Sequence, residues 1–475
     1  MKLIIKITLL IYLIISSLHL YSQQSDEAMA GSWQGVLNTG AGELRIVFNL
    51  SLNENGNWKA TMDSPDQGAM GIPLGDVLLT NDSIRIEAPA LLGYYNGKIT
   101  SPSSSEGTWY QAGRSFKLDL EKREEAIVLN RPQEPRPPYP YMEEELRFQN
   151  KKEGFMLAGT LSLPEGPGPF PAVILVSGSG SQNRDEEIFG HKPFRVIADH
   201  LTRNGIAVLR YDDRGVGKSG GNAAGSTTED LAEDARGALD FLFTRDDIDP
   251  ARIGIIGHSE GGMIAFMLAS ALENLRFVVS MAGPGVDGKT ILLDQSEHIA
   301  RLSGVAPAIL EDNRYVMNGV YERMIANISY EDWKEETLNF TTAFYAEKAV
   351  GSYSEADIEG IRSTLLASIP ESSYAWMRYF VMFDPAALFT GISCPVLALN
   401  GEKDSQVLPE QNIAAIKMGL ERAGNHVSDT MILPGLNHLF QNCITGLPNE
   451  YATIEETFDP ATLELISNWI WQQVR

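Results

Sequence analysis

The sequence predicts an α/β protein: a doubly wound, mostly parallel sheet with a helical lid, preceded by a small all-β domain closed as a barrel or sandwich. Three observations predict it. Between residues 131 and 141 proline recurs at a density that no helix or sheet interior tolerates. Before that stretch, apolar residues alternate in short runs bounded by turn residues. After it they form near-continuous runs, which mean strands buried on both faces, separated by amphipathic helical patterns.

Residues 1–22 stand outside this plan. Lys2 and Lys6 flank an apolar run from Leu3 to Leu20, with the small Ser22 behind it, the pattern of a signal peptide cut near Ser22–Gln23. An uncleaved anchor helix is the alternative, because the run approaches the length of a membrane span. No Cys near the cut offers a lipid attachment point. The expected location is periplasmic or secreted, with no stable membrane insertion after cleavage. No other stretch is long and apolar enough to cross a bilayer.

From about residue 28 to 130, runs such as Glu43 to Phe48 and Ser83 to Ile86 alternate, with turns at Asn53-Glu54-Asn55-Gly56 and Pro102-Ser103-Ser104-Ser105. Gly31 to Gly35 and Gly107-Thr108-Trp109 read as matching first and last strands. Tyr94 and Tyr95 could face a ligand or pack as core and rim. The proline-rich stretch 131–141 then reads as an extended, semi-rigid spacer.

Residues 142–475 form the larger domain. An opening pair of strands covers Leu146 to Asn150 and Phe155 to Leu163. Further strands are expected over Ala172–Ser177, Ile206–Tyr211, Arg252–Ile256, Phe277–Met281, Val396–Asn400 and Thr430–Leu433. Ser226-Thr227-Thr228-Glu229 reads as a capping box, opening a helix whose apolar stripe is Leu231, Ala235, Leu239 and Leu242. From about 285 to 385 the alternation stops and the pattern is helical throughout, an insertion over the sheet edge that reads as the lid.

Composition narrows the partners. The 475 residues are 43% hydrophobic and 21% charged, with a formal net charge of -24. Such an acidic chain is unsuited to nucleic acid, which needs clustered Lys and Arg, or to an anionic membrane surface. Cys394 and Cys443 are expected at opposite ends of the sheet; a six-residue strand spans roughly 20 Å, beyond disulfide reach. Both are expected as free, buried thiols.

The chemistry centres on Gly257-His258-Ser259-Glu260-Gly261, directly after one strand and before a helical run. In that setting the glycines allow a turn too tight for Cβ atoms, which aims the Ser259 hydroxyl out of the sheet. A Ser hydroxyl needs a base. Of the seven His, His298, His426 and His438 follow Ser259. His298 falls in the lid and His426 at a helix exit. His438 follows the last strand, at the sheet's carboxyl edge. For the orienting acid, Asp404 is preferred after the strand Val396–Asn400, with Glu402 as its rival; Asp429 precedes its strand and belongs at the opposite edge. The oxyanion donors are expected to be the backbone N–H groups of Glu260 and, in the Gly178-Ser179-Gly180 loop, of Ser179. Asp212 occupies the position where a phosphate loop ending in Gly217-Lys218-Ser219 requires Gly, so that reading fails. Asp213 and Arg214 are expected to brace their loop as an ion pair.

Taken together, Ser177 to Gly180 with Gln182, Arg184 and Asp185, then Asp213 to Gly217, the Ser259 turn, Asp384-Pro385, Gly401 to Asp404 and His438 resemble the α/β-hydrolase superfamily. More narrowly they resemble bacterial esterases of the dienelactone-hydrolase-like and acyl-peptidase-like branch. The resemblance covers the chain from about Met142 onward. It implies hydrolysis of short or medium acyl esters without a metal or organic cofactor. A serine peptidase or thioesterase on the same fold is the enzymatic alternative. About a hundred N-terminal residues hold at most two or three propeller blades of 40–50 residues each, too few to close, which disfavours the peptidase. The non-enzymatic alternative is a binding protein using the β domain as its ligand module. No pattern addresses oligomeric state.

Overall fold

In the computed structural model the described residues are 29–475, apart from 39–42, 54–56, 66–68, 81, 112, 124–129, 327–328 and 349–353. The expected signal peptide lies outside them. The chain divides into two compact units, Met1–Asn130 and Arg131–Arg475.

Among its described residues the first unit holds ten strands: β1 (Gly31–Asn38), β2 (Glu43–Leu52), β3 (Trp58–Ser64), β4 (Ala69–Pro73), β5 (Val77–Leu79), β6 (Ser83–Ala88), β7 (Gly93–Ser101), β8 (Ser104–Gln111), β9 (Arg114–Lys117) and β10 (Leu120–Arg123). They make one antiparallel sheet in the order β4-β3-β2-β1-β10-β8-β7-β6-β5, with β9 on β8. The alternation seen in the sequence becomes one buried face. In β6, for example, Ile84, Ile86 and Ala88 turn inward beside Trp33, Phe48 and Trp109. Two expectations need correction, the closure of the sheet and the partner of its first strand, and of the two readings of Tyr95 the structure takes the core one. The sheet is open, with no ladder between β4 and β5 among the described residues, where a barrel or sandwich was expected. The first strand pairs with β10, which lies between it and the strand of Gly107 to Trp109. Tyr95 is fully buried, its hydroxyl 3.1 Å from Ser105 Oγ. Tyr94, pointing the other way along the strand, stacks on Tyr110 beneath the Arg85 guanidinium.

The second unit is built on β11 (Met142–Gln149), β12 (Met156–Leu163), β13 (Phe170–Val176), β14 (Ala207–Tyr211), β15 (Ile248–His258), β16 (Phe277–Met281), β17 (Val396–Gly401) and β18 (Asp429–Leu433). Their order is β11-β12-β14-β13-β15-β16-β17-β18. The opening hairpin is antiparallel, and β14 through β18 pair in parallel. The continuous apolar runs feed two cores. Ala172, Ile174 and Val176 face one, with helices α2 (Thr228–Leu242), α3 (Glu260–Ala271) and α10 (Pro409–Arg422). Val173 and Leu175 face the other, with α1 (Pro193–Arg203) and α11 (Pro460–Val474). Between β16 and β17 the described residues form five helices of eleven or more residues: α4 (Gly288–Leu302), α5 (Pro307–Ala326), α6 (Tyr330–Lys348), α7 (Glu355–Ser368) and α8 (Glu371–Met382). The short α9 (Ala386–Phe389) comes next. Trp333, Tyr345 and Tyr374 sit in this insertion's own core.

Local details also differ from the sequence reading. The capping box of α2 is Thr227 with Asp230, one residue later than expected. Ser226 instead donates to the Asn222 carbonyl. Residues 131–141 pack onto the second unit rather than spanning free space. Arg131 donates to the carbonyls of Phe189, Ala452 and Ile454, and Gln133 bonds Thr457 and Phe458. Both cysteines are free, Cys394 buried but Cys443 only half-buried.

Candidate active site

Parallel strands deliver the loops at their carboxyl ends to one edge of a sheet, and four such loops build the site. After β15, Ser259 takes φ 52° and ψ −118°, a conformation that costs a side-chain-bearing residue strain. The surrounding glycines explain how the turn survives. A Cβ on Gly257 would lie 2.0 Å from the Gly261 carbonyl oxygen, and one on Gly261 2.0 Å from that of Val176. The Ser259 N–H donates to the Met281 carbonyl at 2.8 Å, tying the turn to the neighbouring strand. Glu260 begins α3, so its N–H lacks an intrahelical acceptor and is free to face a developing oxyanion.

Asp404 and His438, after β17 and β18, meet. His438 Nδ1 donates to Asp404 Oδ2 at 2.7 Å, with both groups buried. Asp404 Oδ1 accepts from the N–H groups of Gln406 and Val407, at 2.8 and 2.9 Å, so the carboxylate is held from both sides. Glu402, the rival acid, is exposed and accepts from Gly435 N–H at 2.8 Å, bracing the loop that leads to His438. His298 lies on α4 and His426 is exposed. No hydrogen bond joins Ser259 Oγ to the His438 ring among the described residues. The two are tied through the intervening residue: His258 Nε2 donates to the His438 carbonyl at 3.0 Å, and the two rings lie 4.8 Å apart. Catalytic serine–histidine bonds are often long before substrate binds.

The loop after β13 lies against this turn. A Cβ on Gly178 would come 3.1 Å from that of Ser259. Gly178 N–H is already taken by Glu186 Oε1 at 2.7 Å, which leaves Ser179 as the better-placed donor. Glu260 is buried, and burial pushes its carboxyl pKa up. Its Oε1 accepts from Thr228 Oγ1 at 2.6 Å and from the Trp376 indole on α8 at 2.8 Å. The expected Asp213–Arg214 pair is not formed. Asp213 turns to Ser177 Oγ and Gln182 N–H, while Arg214 pairs with Asp234 at 2.7 Å and Glu153 at 2.9 Å. Both acidic partners lie far from Arg214 in the chain, so adjacency misled the sequence reading. Burial lifts Asp213 to about 7.

Sequence reasoning gave no role to Glu186 or His258. His258 is visible in the motif, but nothing distinguishes Glu186 from its neighbour Glu187 until the fold buries it.

A model of the Hydrolase_4 family, described as serine aminopeptidase S33, matches residues 192–442, more than half of the chain. The chain belongs to that family. This S33-family chain is also 26% identical over 324 residues to Esterase EstD of Thermotoga maritima, which covers 66% of the chain and 65% of EstD. It therefore spans just under two thirds of that relative's length. Among solved structures it is similar to the Pyrococcus furiosus esterase Pf2001, with 15% identity, TM-score 0.41, 70% of this chain and 94% of that one. It is also similar to a dienelactone hydrolase from Anabaena variabilis, with 17% identity, TM-score 0.37, 71% of this chain and all of that one.

Proposed function

We propose that this S33-family serine hydrolase cleaves carboxylic esters of small molecules through an acyl-enzyme on Ser259. The single observation that carries the reading is the buried Asp404–His438 pair at 2.7 Å, on the same sheet edge as a serine in a strained turn. Ser259 Oγ attacks the ester carbonyl and passes its proton to His438 Nε2. The N–H groups of Glu260 and Ser179 hold the oxyanion. Collapse breaks the bond to the alcohol oxygen, which takes the proton from His438 and leaves. Water then attacks the acyl-Ser259 carbonyl, giving its proton to His438; that proton returns to Ser259 as the carboxylic acid departs. Asp404 keeps the ring in the required tautomer and stabilises the imidazolium. The helices from α4 to α8 act as the lid that shapes the acyl site. The protein works outside the cytoplasm, after removal of residues 1–22, and uses no cofactor.

The family description favours a second reading, an aminopeptidase. Such an enzyme must hold a substrate ammonium with a carboxylate. Of the buried carboxyls around the turn, Asp404 is engaged by His438 and Glu186 by His258, while Glu260 accepts from Thr228 and Trp376 through one oxygen and has no partner for the other among the described residues. Turnover of 4-nitrophenyl acetate and butyrate, compared with aminoacyl 4-nitroanilides, separates the two. Ester turnover is expected to fall at least about 10³-fold in Ser259→Ala and to persist in EDTA. A Ser259→Ala variant as active as wild type would reject the mechanism, and cleavage of the anilides alone would establish the peptidase.

A further inference from the structure

Beside the Asp404–His438 pair the fold buries a second acid–imidazole pair that the proposed reaction does not use. His258 ends β15 and Glu186 lies in the segment between β13 and α1; both are almost fully enclosed. His258 Nδ1 faces Glu186 Oε1 at 2.9 Å, and Nε2 faces the His438 carbonyl oxygen at 3.0 Å. The surroundings are apolar, with Pro193, Ile197, Met281 and Phe440 lining the same recess.

The hydrogen bonds decide the charge state. A carbonyl oxygen only accepts, so Nε2 carries a proton. Glu186 Oε1 already accepts from Gly178 N–H at 2.7 Å, the behaviour of a carboxylate oxygen, so Nδ1 carries the second proton. Burial alone would strip the ring of its charge. The Glu186 carboxylate outweighs it, and the ring's pKa is raised from the ordinary histidine value. The charged or titratable groups facing His258 are Glu186 from the β13 side, and Asp404 and His438 from the loops after β17 and β18. Asp213 is close enough to Glu186 for the two carboxyls to repel.

The connectivity is unusual in what it joins. One carboxylate oxygen holds the N–H of the loop expected to supply an oxyanion donor. The imidazolium it pairs with belongs to the residue before Ser259. The far side of that ring holds the backbone of His438. We propose that Glu186 and His258 are positioning residues for the reaction, a charged bracket that fixes the oxyanion loop, the Ser259 turn and the His438 loop in one geometry. This rests on Ser259 and His438 being nucleophile and base.

The bracket acts on the geometry of the reacting groups and leaves the helical insertion untouched. Its loss is therefore read in kcat, with KM for a short ester nearly unchanged. A displacement of about 1 Å costs on the order of 10²-fold in rate. Glu186→Gln, which keeps the volume and can still accept from Gly178, is expected to lower kcat about 10- to 100-fold. His258→Asn, able to serve only one of the two acceptors, is expected to lower it at least as much. Burst amplitudes count competent sites, so misfolded protein does not enter kcat.

The wild-type protein supplies a test that no variant can spoil. With ¹⁵N-labelled histidine, the His258 ring is expected to stay doubly protonated at pH values where free imidazole has become neutral. A neutral His258 ring there would overturn the proposal. Wild-type kcat per competent site in Glu186→Gln would also overturn it. Wild type without ester turnover, or with turnover undiminished in Ser259→Ala, would instead bring down the reading of the site, an outcome distinct from either.

Discussion

At the scale of single residues, the candidate site is built from groups whose two ends are both committed. Asp404 shows the logic. One oxygen is fixed by two backbone N–H groups, so the other can only face His438. In Asp404→Asn the amide oxygen keeps the backbone bonds, and an NH₂ group replaces the acceptor opposite Nδ1. The ring then turns to the tautomer with its proton on Nε2, where it cannot take one from Ser259. We expect kcat to fall roughly 10³- to 10⁴-fold with little change in Tm. Glu402→Gln, at the exposed brace on Gly435, should stay within about twofold; kinetics on the two variants decide which carboxyl orients the histidine. Asp213 makes a prediction about stability. Burial raises its pKa to about 7, so the folded state holds a proton that the unfolded chain has released. That contribution is fully present below the ordinary carboxyl range and is lost as pH rises through about 7, at up to about 1.4 kcal/mol per pH unit. Denaturant titrations between about pH 5 and 8 should show this slope in wild type and a flatter one in Asp213→Asn.

At the scale of elements, the sequence marked strands and helices well and their mutual attachments poorly. Apolar runs located all six parallel strands: five are buried along much of both faces, with no polar positions there to blur the run, and the largely exposed edge strand β18 was marked by its apolar residues alone. The cap of α2 slipped by one residue because Ser226, Thr227 and Thr228 are equally able to cap; the choice is made by Asp230 reaching back. The helical character of 285–385 was legible, but not the bond that ties it to the Ser259 turn. Trp376 of α8 donates to Glu260, whose other oxygen lacks a partner among the described residues. Nothing in either local pattern announces a partner 116 residues away. Removing that donor leaves a buried carboxyl held by the Thr228 hydroxyl, a cost of about 1–3 kcal/mol. Trp376→Phe is therefore expected to free α8 and to change KM several-fold across acyl chain lengths, with a smaller effect on kcat. A KM profile over acetyl to octanoyl esters identical to wild type would show that the insertion does not shape the acyl site.

At the scale of the whole molecule, the triad candidates were legible because parallel strands deliver their succeeding loops to one edge; that position singles out His438 among the three His after Ser259, but it leaves Asp404 and Glu402 in one turn, and only the fold brings Asp404 to the imidazole. What escaped was long-range polar pairing: Arg214 with Asp234, Glu186 with His258, and the role of the proline-rich stretch. Proline density correctly excludes helix and sheet interiors, yet it says nothing of the side chains between the prolines. Arg131 reaches three carbonyl oxygens, Gln133 bonds two backbone N–H groups and a carbonyl, and Tyr141 donates to Asp199 at 2.8 Å on α1. Each of these partners belongs to the second unit, and each unit encloses an apolar core of its own. Two truncations test this division. A chain starting at Arg131 keeps both sheet cores, every candidate site residue and the proline-rich stretch 131–141, so it should unfold in one cooperative transition and hydrolyse esters within a few-fold of the full chain. A chain starting at Met142 keeps the sheet and site but leaves the carbonyls of Phe189, Ala452 and Ile454 without their guanidinium. With net hydrogen bonds worth about 0.5–1.5 kcal/mol each, and more to a charged donor, its Tm should fall by several degrees relative to the chain starting at Arg131. Equal melting temperatures would mean that 131–141 is the passive spacer its composition suggests.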